Sequence, residues 1–282
     1  MIQSNPVLVK ELRQRFRSLK GPLILLLYLL VIGGFILGFI YLNWRYQPMT
    51  FDPDRSRDIF MTLSVAQLIL LGFVIPGLTA GTISGERERQ TLNVLLTTEL
   101  SPTAIVIGKM LSSCSFTLLL IMATAPLYSL VFMFGGVSPT QLLGVFGFYL
   151  VTMFLFAAVG MACSSFFKRT GISTVTAYGI IAFLGAGTAF LAAFIHEFLR
   201  KPELPPPDTA PFIVQFLFDI NPVIVLMRIM NEGAPLMDEA EWFLPYWGVY
   251  IAFYVGSGIL LLIWSGRRLN PLRKGNQNKL FR

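Results

Sequence analysis

Residues 110–167 read MLSSCSFTLLLIMATAPLYSLVFMFGGVSPTQLLGVFGFYLVTMFLFAAVGMACSSFF, a stretch without one Asp, Glu, Lys or Arg. A bilayer core of about 30 Å takes roughly 20 apolar residues in helical form, so this stretch holds two spans. Gly135, Gly136, Val137, Ser138 and Pro139 supply turn chemistry between them. Outward from it, Ile59–Gly85, Thr170–Ile195 and Trp242–Gly266 are equally free of formal charge. Over the whole chain 55% of residues are apolar and 13% charged, with mean hydropathy +0.68. Soluble domains carry about 25% charged residues. The pattern predicts an all-α polytopic membrane protein.

Six spans fit, at about 22–42, 59–82, 108–134, 141–166, 172–195 and 244–265. Lys10, Arg13, Arg15, Arg17 and Lys20 before the first resemble the start of a signal peptide, but the apolar run that follows is longer than the roughly 7–15 residues of a signal core. It is expected to be retained. Lysine and arginine orient the chain. Sixteen fall on one side: the N-terminal five, Arg87, Arg89, Lys109, Lys168, Arg169 and the six of the tail, 267–282. Six fall on the other, namely Arg45, Arg55, Arg57, Arg200, Lys201 and Arg228. Both termini are therefore expected in the cytoplasm, of a bacterial inner or plasma membrane. The net charge of +7 reflects topology and contact with anionic lipid rather than nucleic-acid binding.

Residues 1–20 are expected to form a cytoplasmic interfacial helix, started by Asn5–Pro6. Leu8, Leu12, Phe16 and Leu19 share one face and Lys10, Arg13 and Arg17 another; a loose basic tail is the alternative. Residues 21–282 then form the six-span domain, with an outer loop over 196–243. Within that loop PFIVQFLFDINPVIVLMRIM, residues 211–230, is apolar enough to suggest a seventh span. Asp219, Asn221, Pro222 and Arg228 interrupt it, and each is costly at mid-bilayer. A re-entrant hairpin hinged near Asn221–Pro222 is expected instead.

Catalytic chemistry is hard to find. The chain has no phosphate loop: Gly108–Lys109 is followed by Met110 and lacks the preceding glycine. His196 is the only histidine, so no His-Glu-x-x-His metal site exists. Cys114 and Cys163 lie in apolar runs and are expected to be reduced thiols. No ionisable residue falls inside the predicted span interiors, where ion-driven carriers place theirs. Energy for transport must then come from outside the spans.

The second cytoplasmic segment, about 84–106, is the informative one. Glu86, Arg87, Glu88 and Arg89 lead into Thr91, Leu92, Leu95 and Leu96, and Ser101–Pro102 restarts a helix. A short helix with a charged start and an apolar face over 85–97 suits seating in a partner's cleft; a solvated loop with interfacial leucines fits the spacing equally. This segment resembles the coupling-helix region of ABC type-2 transporter permeases, whose pattern is approximately Glu-x-Glu-x-Gly-Thr-Leu-x-x-Leu-Leu, then Ser or Thr with Pro, then Gly-Lys. The match covers Glu86, Glu88, Thr91, Leu92, Leu95, Leu96, Ser101, Pro102, Gly108 and Lys109, and departs at Gln90, where the family commonly has glycine. The resemblance implies a non-catalytic membrane subunit of an exporter. A second permease subunit, identical or different, would complete the path, and separate ATPase subunits would bind ATP and magnesium beneath. Glu86, Arg87, Glu88, Arg89, Thr91, Leu92, Leu95 and Leu96 would couple to the ATPase; Lys10, Arg13, Phe16, Arg17 and Lys109 would sit at the membrane interface. Two other readings stay open: a motor-coupled protein that passes work to an outer partner through 196–243 without transport, and a membrane-embedded enzyme acting on lipid.

Overall fold

The computed structural model describes residues 20–46, 53–92, 101–133, 137–199, 211–230 and 245–269, with side chains for all of these except 20, 39–40, 42–46, 53–55 and 130–133. The expected interfacial helix over 1–20 and most of the basic tail lie outside the described residues.

Among the described residues, six helical segments are long and apolar enough to cross a membrane. They are α1 (Lys20–Tyr46), α2 (Pro53–Thr79), the pair α4 (Pro102–Ala123) and α5 (Ala125–Met133), α6 (Pro139–Phe166), the interrupted helix α7–α8, and α11 (Tyr246–Leu269). A five-residue helix, α3 (Ser84–Glu88), follows α2. Two of the starts have clear local causes. Ser101 caps α4, its Oγ accepting from the Ala104 amide at 3.2 Å with Pro102 in the first turn. Ser138 and Gln141 close a capping box on α6, again with proline next.

Two spans are less regular than the sequence predicts. The third is split because Pro126 has no N–H to offer. The chain turns at Thr124, whose hydroxyl lies 2.7 Å from the Ile121 carbonyl. The fifth runs as α7 (Thr170–Ala182), a π-helical segment over Phe183–Gly187, and α8 (Thr188–Leu199). On α8 the rings of Phe190, Phe194 and Phe198 stack in a row with centroids 6.2 and 6.3 Å apart, and all three are exposed.

The bundle is organised around α6, which packs against α2, α4, α7, α11 and the short helix Pro222–Ile229. Its second half, Ala157-Ala-Val-Gly-Met-Ala-Cys-Ser-Ser165, is buried throughout and consists mostly of small side chains that let neighbouring backbones approach. At Gly160 a Cβ would fall 1.9 Å from Thr79 Oγ1, so α2 and α6 meet where only glycine fits. Higher in the bundle a polar seam crosses the core. Tyr149 Oη donates to the Ser64 carbonyl at 2.9 Å, and the Tyr128 and Tyr149 hydroxyls lie 3.0 Å apart.

The segment 211–230 forms α9 (Phe212–Asp219) and α10 (Pro222–Ile229), with axes 80° apart. Two eight-residue helices so bent span only about 18 Å end to end, against about 30 Å for a bilayer core. So bent, the pair fits the expected re-entrant hairpin better than a straight seventh span. Asn221 holds it. Its Oδ1 accepts from the amides of Val223 (2.9 Å) and Ile224 (3.1 Å), capping α10. Its Nδ2 donates to the Gly185 carbonyl (2.5 Å) and to Thr188 Oγ1 (2.8 Å). Those two acceptors belong to the π-segment and to the first residue of α8, so Asn221 ties α10 to the irregular turn of the fifth span. Arg228 pairs with the buried Asp219. Arg57 donates to the Met230 carbonyl at 2.8 Å, which ties the hairpin to the start of α2.

Arg57 and Arg228 thus sit at one end of the bundle. Arg87, Lys109, Lys168, Arg169, Arg267 and Arg268 sit around α3 at the other. The alternation expected of six spans is preserved.

Candidate functional site

The candidate site is α3 and its surroundings, a crossing point of four spans. The chain leaves α2 through a turn at Ala80–Ile83, and the amides of Ile83 and Ser84 then donate to Ser164 Oγ at 2.8 and 3.0 Å. One serine on α6 therefore meets two of the amides that the start of a short helix leaves over. The Ser173 hydroxyl of α7 donates to the Ala80 carbonyl at 2.7 Å.

Each charged residue of α3 reaches a different neighbour. Glu86 pairs with Lys109 of α4 at 3.3 Å and also bonds the Thr91 hydroxyl. Arg87 donates to the Phe167 carbonyl at 2.9 Å and the Ser165 carbonyl at 3.3 Å, placing a cation on the negative end of α6. Glu88 accepts from the Thr170 amide and the Thr170 hydroxyl, both at 2.8 Å, and so caps α7. Those two hydrogen bonds, amide first, hold the exposed Glu88 carboxyl below its ordinary range, and Arg169 adds to the effect. Arg89 is exposed. The end of α11 is pinned to the same corner, with Arg268 lying 4.2 Å from the Phe166 ring centre and 5.3 Å from that of Trp264.

The helix ends in a Schellman turn, which accounts for the departure at Gln90. Gln90 N–H donates to the Arg87 carbonyl (3.1 Å) and Thr91 N–H to the Glu86 carbonyl (2.9 Å). That geometry puts Gln90 at φ 59°, the left-handed conformation that glycine adopts without cost. The pattern's glycine is the natural occupant of this position.

Several expectations need correction. Residues 85–97 are not one helix: α3 stops at Glu88, and Leu92 resumes helical conformation only after the turn. Leu92 is not part of an open apolar face, because it is 8% exposed and belongs to this chain's own core. Lys109, expected at the membrane interface, is 4% exposed and pairs with Glu86. Glu86 and Glu88 brace the chain internally rather than standing free. Leu95 and Leu96, like Lys10, Arg13, Phe16 and Arg17, lie outside the described residues. Ser164 and Thr170 carry contacts that no sequence pattern singles out, although a threonine opening a helix beside a basic pair is a weak capping signal.

Among the described residues no group of three or more His, Cys, Asp or Glu could hold a metal ion. Cys163 is buried and Cys114 half-buried, and neither forms a disulfide. The arrangement is suited to mechanics: a displacement of α3 is felt at α4 through Glu86, at α6 through Arg87 and Ser164, and at α7 through Glu88.

No curated protein matches the chain. Residues 40–265 match a family described as ABC-2 family transporter protein, which takes in α2 to α10, most of α11 and the end of α1. A bundle of six spanning helices and a braced short helix after the second, matched over most of its length, places this chain in the ABC-2 transporter family, as a membrane permease of an ABC transporter.

Proposed function

We propose that the chain is the membrane-spanning subunit of an ABC exporter, moving an apolar or amphipathic substrate with energy from separate ATPase subunits that bind ATP and magnesium. A second permease subunit completes the path, and the α3 end faces the cytoplasm with both termini. The observation that supports this most is the brace at α3, where one five-residue helix is fastened to three spans by charged side chains. A motor that pushes there moves all three. Arg89, exposed at the helix end, is a position offered to it.

The test uses the chain co-purified with an ABC ATPase and reconstituted in vesicles. An Arg87→Leu, Glu88→Gln variant is expected to insert normally and keep its ATPase, yet lose the link between substrate movement and ATP turnover. Unchanged coupled transport in that variant defeats the proposal.

One observation favours a second reading. Glu88 grips the start of α7, and the same span is gripped by Asn221 of the hairpin at its π-segment. Work applied at α3 therefore has a route to the opposite end without transport. Substrate accumulation in sealed vesicles separates the two: accumulation supports export, and ATP-driven hairpin motion without it supports transmission.

A further inference from the structure

A cavity of about 580 Å³ lies at the end of the bundle opposite α3, between α6, α10 and the start of α11. It falls within the roughly 300–1,000 Å³ of sites that hold small molecules, and nothing in the α3 brace involves it.

Its lining is graded. Ser138, Thr140 and Gln141, in the first turn of α6, supply polar groups at one end. Tyr246 and Trp247 stand beside them, the amphipathic aromatics favoured at a membrane–water boundary. Further along α6 the lining becomes Gly144, Gly147 and Val151, faced by Val225 and Ile229 of α10 and Ile251 of α11. No lining residue is ionisable at neutral pH. From Ser138 to Val151 the helix rises about 20 Å. Half of a bilayer with its headgroup region is about 20–22 Å. The cavity therefore descends the depth of one leaflet, polar where headgroups lie and hydrocarbon-like below.

The wall is open where a chain would lie. A Cβ on Gly147 would meet nothing within 4 Å, and one on Gly144 would touch only Ile229 Cγ2 at 3.1 Å. A polar solute would leave its own groups unpaired against Val151, Val225 and Ile251. A long apolar chain with a neutral hydrogen-bonding head leaves nothing unpaired at either end. We infer that this cavity is a lipid site: it takes one acyl chain of a membrane lipid, with the lipid's ester region at Ser138, Thr140 and Gln141. The inference rests on the cavity alone and stands whether or not the chain couples to an ATPase.

The full-length protein is placed in nanodiscs of phosphatidylethanolamine and phosphatidylglycerol, with a phosphatidylcholine carrying a photoreactive diazirine midway along one acyl chain. Labelled residues are mapped by mass spectrometry, with and without excess unlabelled phosphatidylcholine. Labelling is expected to concentrate at Val151 and Ile251 and to fall on competition. Gly147→Leu fills the space and should lower it about tenfold, Gly147→Ala much less, while labelling of the exposed Phe190–Phe198 row stays unchanged. Ile251→Trp, which fills the space from the other wall, guards against a folding defect in Gly147→Leu. Cavity labelling that resists competition and ignores both filling variants would mean ordinary surrounding lipid, and would overturn the inference. So would labelling that appears only after residues 236–243 are replaced by glycine and serine, since the chain's own segment would then be the occupant.

Discussion

Removing the Asn221 side chain should loosen the hairpin from the fifth span in a way that can be resolved into parts. Asn221 is fully buried and makes four contacts, two through each side-chain atom. In Asn221→Ala the cap on α10 is lost, worth about 1 kcal/mol. The Gly185 carbonyl and the Thr188 hydroxyl each lose a buried donor, at about 1–3 kcal/mol together. The sum is roughly 2–4 kcal/mol, large against ordinary substitutions. Asn221→Ser keeps a capping oxygen but cannot reach Gly185, so it should recover about 1 kcal/mol of that loss. Asn221→Asp keeps the cap and sets an oxygen against the carbonyl where the amide stood at 2.5 Å, so it should do no better than alanine. Stability is measured by denaturant titration of the purified protein in detergent, and local opening by hydrogen exchange over 183–188 and 222–225. Faster exchange at both segments in Asn221→Ala is expected. A loss of no more than about 1 kcal/mol, the cap alone, with exchange at 183–188 unchanged would refute the link to the π-segment.

Gln90→Gly should stabilise the protein by up to about 1 kcal/mol, relieving left-handed strain less glycine's extra freedom when unfolded. Gln90→Val should be worse than the parent, and the reverse order in thermal melts would contradict the turn geometry. Gly160→Ala should cost about 1–3 kcal/mol by overpacking α2 against α6. Adding Thr79→Gly, which removes the side chain in the way, should restore much of it; no rescue in the double variant would place the strain elsewhere. Single cysteines at Asp58 and Asp208, in a background with Cys114 and Cys163 replaced, should react with impermeant thiol reagents in intact cells, and one at Asn276 should not. Asp58 is exposed whereas its neighbour Ser56 is buried, which makes it the better reporter. Labelling at Asn276 from outside would reverse the proposed orientation.

The spans were readable because a charge-free run of membrane length has few alternatives, and their observed limits lie within a few residues of expectation except where α2 and α4 each begin six residues early, at Pro53 and Pro102. The faces of those helices were not readable. A helix apolar on every side carries no stripe to show which side packs, and in α6 only the run of mostly small residues from Ala157 to Ser165 marks where neighbours close in all round. The candidate segment shows the same division. Its turn at Gln90 was foreshadowed by a missing glycine, a local property. The partners of Glu86, Arg87 and Glu88 were not, because Lys109, Ser165, Phe167 and Thr170 stand 23 to 82 positions away in sequence. Lys109 looked interfacial for the same reason: a lone lysine near a span end gives no sign of a carboxylate folded back upon it.

The π-segment has a further consequence for the fifth span. Such a segment is equivalent to one extra residue inserted in an α-helix, and each residue turns the helix by about 100°. Deleting one of the five residues Phe183–Gly187 would therefore swing the row of Phe190, Phe194 and Phe198 about a quarter-turn relative to α7, with every side chain of the row intact. The compass bearing of this aromatic row is written in a backbone irregularity, and Asn221 is the peg that keeps it from slipping.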